Sequence, residues 1–553
     1  MRRTAGVRTA GARATRVRAA GARAAGARAA GRWTVVAVTA AALLAAGCSG
    51  GGDTDSADHA RKGGAKEAAP DARGPGGGYV GEGTPGPEGD AGQPGESGEP
   101  QDTSRRPDFR STFALDVDTA SYSYARRTLK SGRLPAPGTV RTEEFVNSFQ
   151  QDYARPEGDG FSVSADGART TSAGWSLLRV GLATKAQAPE ADRPPAALTF
   201  VLDVSGSMAE PGRLDLAKKA LRTAADHLRA EDSAALVTFS DTAKTVLPMT
   251  RLGGGGRERL RDAVAGLEPQ QDTNLGAGVT RGYEEAAEGR REGGTNRVVL
   301  LSDALANTGS TDAGSILEKV SENRKKHGIT LFGVGVGSDY GDDLMERLTN
   351  RGDGHTAYVS SEKEAREVFV EQLPRNVVVR ARDAKAQVTF DRDAVARFRL
   401  LGYENRAVAD EDFRDDSVDG GEIGPGHTVT ALYAVRLKHD AEGNAARATV
   451  RWQDPETRAP HERSRRIGVD ALTGDGLWGE NAEGTPPRLR LAAVAAYFAH
   501  ALRSDAPGPA LPGAPSLRTL GAEARGLAKE TGDGAVSTLA ETIDRADGLR
   551  SRQ

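Results

Sequence analysis

Between Ala197 and about residue 375 the chain alternates short apolar runs with segments of helical period, and this alternation restricts the fold more than any other feature. Leu198 to Leu202, Ala234 to Phe239, Val298 to Leu301, Ile329 to Val336 and Thr356 to Val359 read as strands. Between them Leu214, Ala217, Leu221, Ala224 and Leu228 recur at helical spacing, and so do Leu260, Val264 and Leu267. Leu275 to Ala287, Ile316 to Arg324, Leu344 to Leu348 and Ala365 to Leu373 read as further helices. Continuous apolar runs suit strands buried on both faces between helical layers. The expected fold class is α/β, with a Rossmann-like, doubly wound and mostly parallel sheet. Sheets of this kind place ligands beyond the carboxyl ends of their strands.

Polar residues gather at those ends. Asp203, Ser205 and Ser207 follow the first strand at alternate positions, so all three can turn one way before the next helix. Thr273 lies in Gln271-Asp-Thr-Asn-Leu-Gly276, a second loop before a helix, and Asp303 follows the strand that includes Val298 to Leu301. One carboxylate and two hydroxyls on one loop are hard oxygen donors of the kind Mg²⁺ prefers. A lone Asp-x-Ser-x-Ser also works as a helix-capping turn without metal. Three separated pieces, in order, resemble the metal-ion-dependent adhesion site of the von Willebrand factor type A (VWA) family. That resemblance implies Mg²⁺ or Mn²⁺, ligated directly by Ser205 and Ser207 and directly or through water by Thr273. It implies that Asp203 and Asp303 ligate or hold metal-bound waters, and that a sixth position stays open for a partner's carboxylate. Ala304, followed by Leu305, stands where the family usually has Gly.

The flanks divide by pattern. Residues 108–190 read as an N-terminal α+β module, 191–376 as the VWA domain, 377–475 as a β-rich C-terminal domain, and 476–553 as a linker and C-terminal helices. In the first, Phe113, Leu115 and Val117 alternate like a strand, Thr119 or Asp118 can cap a helix through Lys130, and Thr142 starts a second short helix. In the third, Ala386, Val388 and Phe390 alternate, and Val429 to Leu437 and Ala448 to Trp452 read as strands. Ser111 to Ser121, Leu400 to Arg406, Asp412 to Asp419 and Gly421 to Thr428 resemble the corresponding stretches of a bacterial family of VWA lipoproteins. Its members carry their own N-terminal extension and a C-terminal domain of unknown function. The acidic run Asp410 to Asp419 reads as a solvated loop or a calcium loop, without EF-hand spacing. Pro487 to Arg503 and Leu517 to Leu549 read as helices packed on the folded body, with no membrane role.

Residues 1–47 read as an address. Nine arginines and no acid precede an apolar run, Trp33 to Ala46, that is short for a membrane span and fits a signal-peptide core. Leu44-Ala-Ala-Gly-Cys48 then resembles a lipobox, whose cysteine would carry a diacyl anchor. The alternatives are a buried structural cysteine or an uncleaved anchor. Cys48 is the chain's single cysteine, so no intramolecular disulfide forms. Residues 48–107 are too poor in apolar side chains to fold, and read as a Gly/Pro-rich tether. Gly recurs every third residue from Gly83 to Gly98, which a short collagen-like stretch would also show.

Composition removes other classes. Without the nine leader arginines, the chain's 74 bases against 77 acids leave a formal charge of −12. So acidic a chain lacks the basic footprint of nucleic-acid binding. No phosphate loop occurs, and His461-Glu462 is closed by Arg465 instead of a second histidine. Ser205 has no identifiable base. The expectation is a non-catalytic protein, lipid-anchored at the extracytoplasmic face of the cell membrane, with no small-molecule substrate. It would capture an acidic residue of an unidentified protein partner through its metal. The alternative is an envelope scaffold whose VWA domain acts without metal; service to an ATPase is a distant third.

Overall fold

The computed structural model describes residues 109–115, 118–158, 160–186, 193–303, 313–337, 342–352, 354–373, 378–418, 420–503 and 510–552. Residues 1–47, read above as a signal peptide, Cys48, the Gly triplets and Ala304 with Leu305 lie outside the described residues.

In chain order, β1 (Arg110–Ala114), α1 (Ala120–Lys130), α2 (Thr142–Asn147), β2 (Phe161–Arg169) and β3 (Trp175–Thr184) come first. The central domain follows: β4 (Ala196–Asp203), α3 (Leu214–His227), β5 (Ser233–Phe239), β6 (Ala243–Arg251), α4 (Gly256–Ala265) and α5 (Leu275–Glu288). It continues with β7 (Thr295–Ser302), α6 (Ala313–His327), β8 (Thr330–Val336), α7 (Asp342–Arg351), β9 (His355–Val359) and α8 (Glu362–Arg366). Then come β10 (Ala381–Phe390), β11 (Val395–Leu401), β12 (Gly421–Ile423), β13 (Thr428–Leu437), β14 (Asn444–Gln453) and β15 (Pro460–Gly468). Three longer helices, Pro487–Leu502, Leu517–Thr531 and Gly534–Arg550, close the order.

The central sheet has the order β6-β5-β4-β7-β8-β9. Every neighbouring pair is parallel except β5 with β6. Strands β4, β5 and β8 are buried along their whole length. On one face Leu214, Ala217 and Leu221 of α3 pack with Leu260 and Val264 of α4. On the other, Val279 and Tyr283 of α5 pack with Val320 of α6 and Leu348 of α7. Helix α5 lies so close to the sheet that a Cβ on Gly282 would stand 2.3 Å from Val201 Cγ2. The chain reverses its winding between β4 and β7, so the switch-point crevice opens where these two strands end. Strand β6 was not expected from the sequence. It is an edge strand, half exposed and interrupted by Pro248, a residue that only an edge or a bulge tolerates.

The segments on either side of the central domain share their sheets. Strand β1 pairs with β10 in a five-stranded sheet, β1-β10-β14-β15 with β12 on β10. Strands β2 and β3 join β13 and β11 in a four-stranded sheet. The two sheets enclose one core, in which Phe113 and Phe161 meet Phe390, Phe398, Tyr433 and Trp452. Phe390 and Phe398 stack with ring centroids 4.1 Å apart. The central domain is thus threaded through a β-sandwich built from both flanks. Against that sandwich pack α1, α2 and the three C-terminal helices, around Leu177, Leu432 and Ala434. The helix Pro487–Leu502 is apolar because it is buried inside this layer. No described helix is long and apolar enough to cross a membrane.

Two local readings change. Thr119 occupies the N-cap of α1 without a side-chain cap bond. The Asp118 carboxylate turns away instead and accepts from the Thr356 amide at 3.0 Å, 3.4 Å from His355 Nδ1 and 3.7 Å from Arg406 Nη2. A tertiary donor set wins over the local cap because Asp118 is buried, where an ionised group needs partners. The acidic run is not a freely solvated loop either. Asp410 accepts from Thr112 Oγ1 at 2.7 Å, the Asp415 carbonyl accepts from Lys385, and Asp416 pairs with Arg451 at 2.9 Å. These contacts fasten the loop across the five-stranded sheet. His461 and Glu462 lie on the exposed strand β15, where the helical geometry of a zinc-protease motif does not exist.

Candidate functional site

The site is built on the ends of β4 and β7. Asp203 is the last residue of β4 and has no exposed surface. The chain beyond it is tied to two neighbours: the Val204 amide donates to the Phe239 carbonyl at 3.0 Å, and the Gln270 amide to the Val204 carbonyl at 2.6 Å. Gly206–Ala209 then coil into a short 3-10 turn, closed by Met208 N to Ser205 O at 3.0 Å. This turn brings the Ser205 and Ser207 hydroxyls to 3.1 Å from each other. The alternate spacing in the sequence therefore does converge on one side.

Asp203 holds this loop from behind. Its Oδ1 accepts from the Ser205 amide at 2.9 Å, and its Oδ2 from the Ser302 hydroxyl at 2.6 Å. Burial pushes its carboxyl above the usual range, and the nearby Asp303 charge adds to this; the bonds from Ser205 and Ser302 oppose it. Asp303 is also buried, and its two oxygens differ. Oδ2 accepts from Arg213 Nη1 at 2.7 Å, while Oδ1 is buried with no hydrogen-bond partner among the described residues. Thr273 sits half-buried on the adjoining loop, whose ends are anchored by the Gln270 bond and by Asn274 N to the Ser240 carbonyl at 2.5 Å.

Two residues of the site were not singled out from the sequence. Ser302 is the last residue of β7, next to Asp303, so its position beside a strand-end acid was the available signal. Arg213 offered none, because it stands ten residues from Asp203 at the start of α3. Its guanidinium nonetheless joins the cluster, donating to the Ser207 carbonyl at 3.1 Å and pairing with Glu210 at 2.7 Å.

The donor set suits a hard divalent cation. Two hydroxyls bond to each other, and one buried carboxylate oxygen has no partner among the described residues; such an atom is costly to bury unless something meets it. Among the described residues no group of three or more His, Cys, Asp or Glu stands ready to hold a metal, so hydroxyl oxygens have to complete any such site. Ser205 and Ser207, with Asp303 Oδ1, are the residues here that can do so. Ser205 Oγ lies 3.1 Å from Ser207 Oγ, and the Ser205 side chain also bonds to the Asp203 carboxylate behind it.

Comparison with known proteins gives the family of the central domain. Residues 197–371 match the family model described as von Willebrand factor type A domain. Residues 376–508 match the one described as Uncharacterized protein YfbK, C-terminal, and residues 96–176 one described as von Willebrand factor. The chain is 34% identical over 337 residues to the uncharacterized protein YfbK of Escherichia coli (strain K12), covering 59% of this chain and 58% of that protein. It is 28% identical over 199 residues to the uncharacterized protein sll0103 of Synechocystis, covering 36% of this chain and 45% of that protein. The chain thus spans less than two thirds of either relative. Among solved structures, a von Willebrand factor type A protein from Catenulispora acidiphila aligns with a TM-score of 0.43 at 17% identity, over 69% of this chain and 89% of that one. Residues 197–371 are a von Willebrand factor type A domain, carried on a chain whose C-terminal part, residues 376–508, is a YfbK-like domain.

Proposed function

We propose that this protein is a non-catalytic binding module that captures an acidic residue of a protein partner through a divalent cation at the end of β4. VWA domains typically mediate protein–protein interaction, and the observation that supports the finer reading is the buried Oδ1 of Asp303, without a hydrogen-bond partner among the described residues, on a carboxylate that Arg213 links to the loop of the paired Ser205 and Ser207 hydroxyls. A bound Mg²⁺ or Mn²⁺ would supply an open coordination position to a partner's carboxylate. In this reading Ser205, Ser207 and Asp303 contribute oxygens, Thr273 adds one directly or through water, and Asp203 holds the loop in shape. We further propose display on the extracytoplasmic face of the membrane through a lipid on Cys48.

The test is calorimetric titration of Mg²⁺ and Mn²⁺ into the purified protein, beside its Asp203→Ala variant. Saturable binding confined to the wild type, with partner capture that a chelator reverses, is the expected result. No heat at concentrations where millimolar affinity registers would sink the metal-dependent reading. A second reading, an envelope scaffold that associates without metal, has one observation in its favour: Arg213 already neutralises Asp303. It predicts partner capture that a chelator leaves unchanged.

A further inference from the structure

The geometry points to Arg213 as a resident cation that competes with the metal for Asp303 and thereby sets the affinity of the site. This rests on the metal-binding reading above.

Arg213 is built into the site. It is 4% exposed, and its Nη1 reaches both Asp303 Oδ2, at 2.7 Å, and the Ser207 carbonyl, at 3.1 Å. It therefore bridges the two halves of the candidate site, the β4 loop and the end of β7. Its Nη2 is held by Glu210, whose carboxylate is largely exposed. The shaft lies against Gly337, which has φ of +101°; a Cβ there would stand 3.1 Å from Nε and 3.2 Å from Cγ. A glycine at this point leaves the slot that the arginine fills.

The consequence is electrostatic. Asp203 and Asp303 are the two acids named at the site, and one is already paired with a fixed positive charge. A cation taken up on Asp303 Oδ1 would share that carboxylate with the guanidinium. Two cations on one carboxylate repel each other. Even screened as fully as in water, a univalent and a divalent charge about 6 Å apart, on the two oxygens of one carboxylate, oppose binding about tenfold. An arginine cannot shed this charge by losing a proton. Without metal, the same guanidinium keeps Asp303 from being a buried charge with no partner. Arg213 thus stabilises the metal-free site and weakens the loaded one.

The test uses the full chain with Arg213→Met, Arg213→Gln and Arg213→Lys. Calorimetry reads Mn²⁺ affinity, and thermal unfolding in chelator and in Mn²⁺ reads stability. Arg213→Met should bind Mn²⁺ about tenfold more tightly than wild type, melt lower in chelator, and gain more from Mn²⁺. Arg213→Lys keeps the charge and should stay close to wild type. Arg213→Gln serves as the neutral variant if the Met variant does not unfold cooperatively. Wild-type binding with neutral variants that bind no tighter would overturn the inference alone. A silent wild type beside a neutral variant that binds would support it, while removing the metal-dependent reading for the native chain. Silence in wild type and neutral variants would overturn both.

Discussion

Asp232→Ala is expected to cost about 3–5 kcal/mol of stability, the range for breaking a buried ion pair by removing one partner. The Asp232 carboxylate has no exposed surface and ties the segment that enters β4 to the turn between α3 and β5. Arg193 reaches it with both guanidinium arms, one at 2.9 Å. The Ala196 amide, at the start of β4, donates to it at 2.9 Å, and the Arg229 amide at 2.8 Å. Alanine removes the acceptor for all of these and leaves the buried Arg193 charge alone. Replacing Arg193 as well, in Asp232→Ala/Arg193→Met, should therefore recover part of the loss. Burial by itself would raise the Asp232 carboxyl, but the Arg193 guanidinium and the two amides together hold it below the usual range. Its contribution is then fully present above the unfolded value of about 3.9 and fades as pH falls through the lower folded value. Urea unfolding of wild type and variants at pH 7, repeated down to pH 3, measures both effects. The gap between wild type and Asp232→Ala should hold from pH 7 to about 5 and shrink below about 4. A gap under about 1 kcal/mol at pH 7, with an unchanged denaturant slope, would refute the claim that this carboxylate organises the entry to β4.

Three further outcomes follow from particular atoms. Asp303→Asn keeps the shape of the carboxylate but not its charge; it should lose the Mn²⁺-induced stabilisation, about 2.7 kcal/mol for wild type at a hundredfold excess over Kd, read as a shift in melting temperature. Unaltered stabilisation by Mn²⁺ would remove Asp303 from the site. Gly282→Ala drives a methyl onto Val201 and should cost about 1–3 kcal/mol; adding Val201→Ala should return part of that, and a simple sum of the two losses would show that α5 has room to shift. Cys48→Ser should abolish incorporation of labelled fatty acid and release the protein from membranes; unchanged labelling would place any acylation elsewhere.

How the N-terminal segment would fold was less legible than the central domain, and the reason is locality. The strands and helices of the central domain announce themselves by period, since a strand between two helical layers must be apolar along its length and a surface helix must be apolar on one stripe. Asp203, Ser205, Ser207, Thr273 and Asp303 were likewise readable, because each stands at a strand end or in a loop before a helix, where a doubly wound sheet places its ligands. Strand β6 escaped notice because one exposed face and Pro248 break the apolar signal.

What no local pattern carries is partnership across the chain. That Arg110–Ala114 pairs with Ala381–Phe390, and Trp175–Thr184 with Thr428–Leu437, is decided by which buried faces fit together on the two sides of the central domain. The same holds for Asp118, which reads as a helix cap in sequence but finds a better donor in the Thr356 amide. It holds most of all for Arg213, which has no sequence signal and becomes part of the site because the fold buries its charge beside Asp303. Sequence by itself determined the layers, the strand ends and the polar residues that gather there, because these depend on neighbours a few residues away. Only the tertiary structure decided which charges meet, because a buried ion is satisfied by whatever the fold brings within hydrogen-bonding distance.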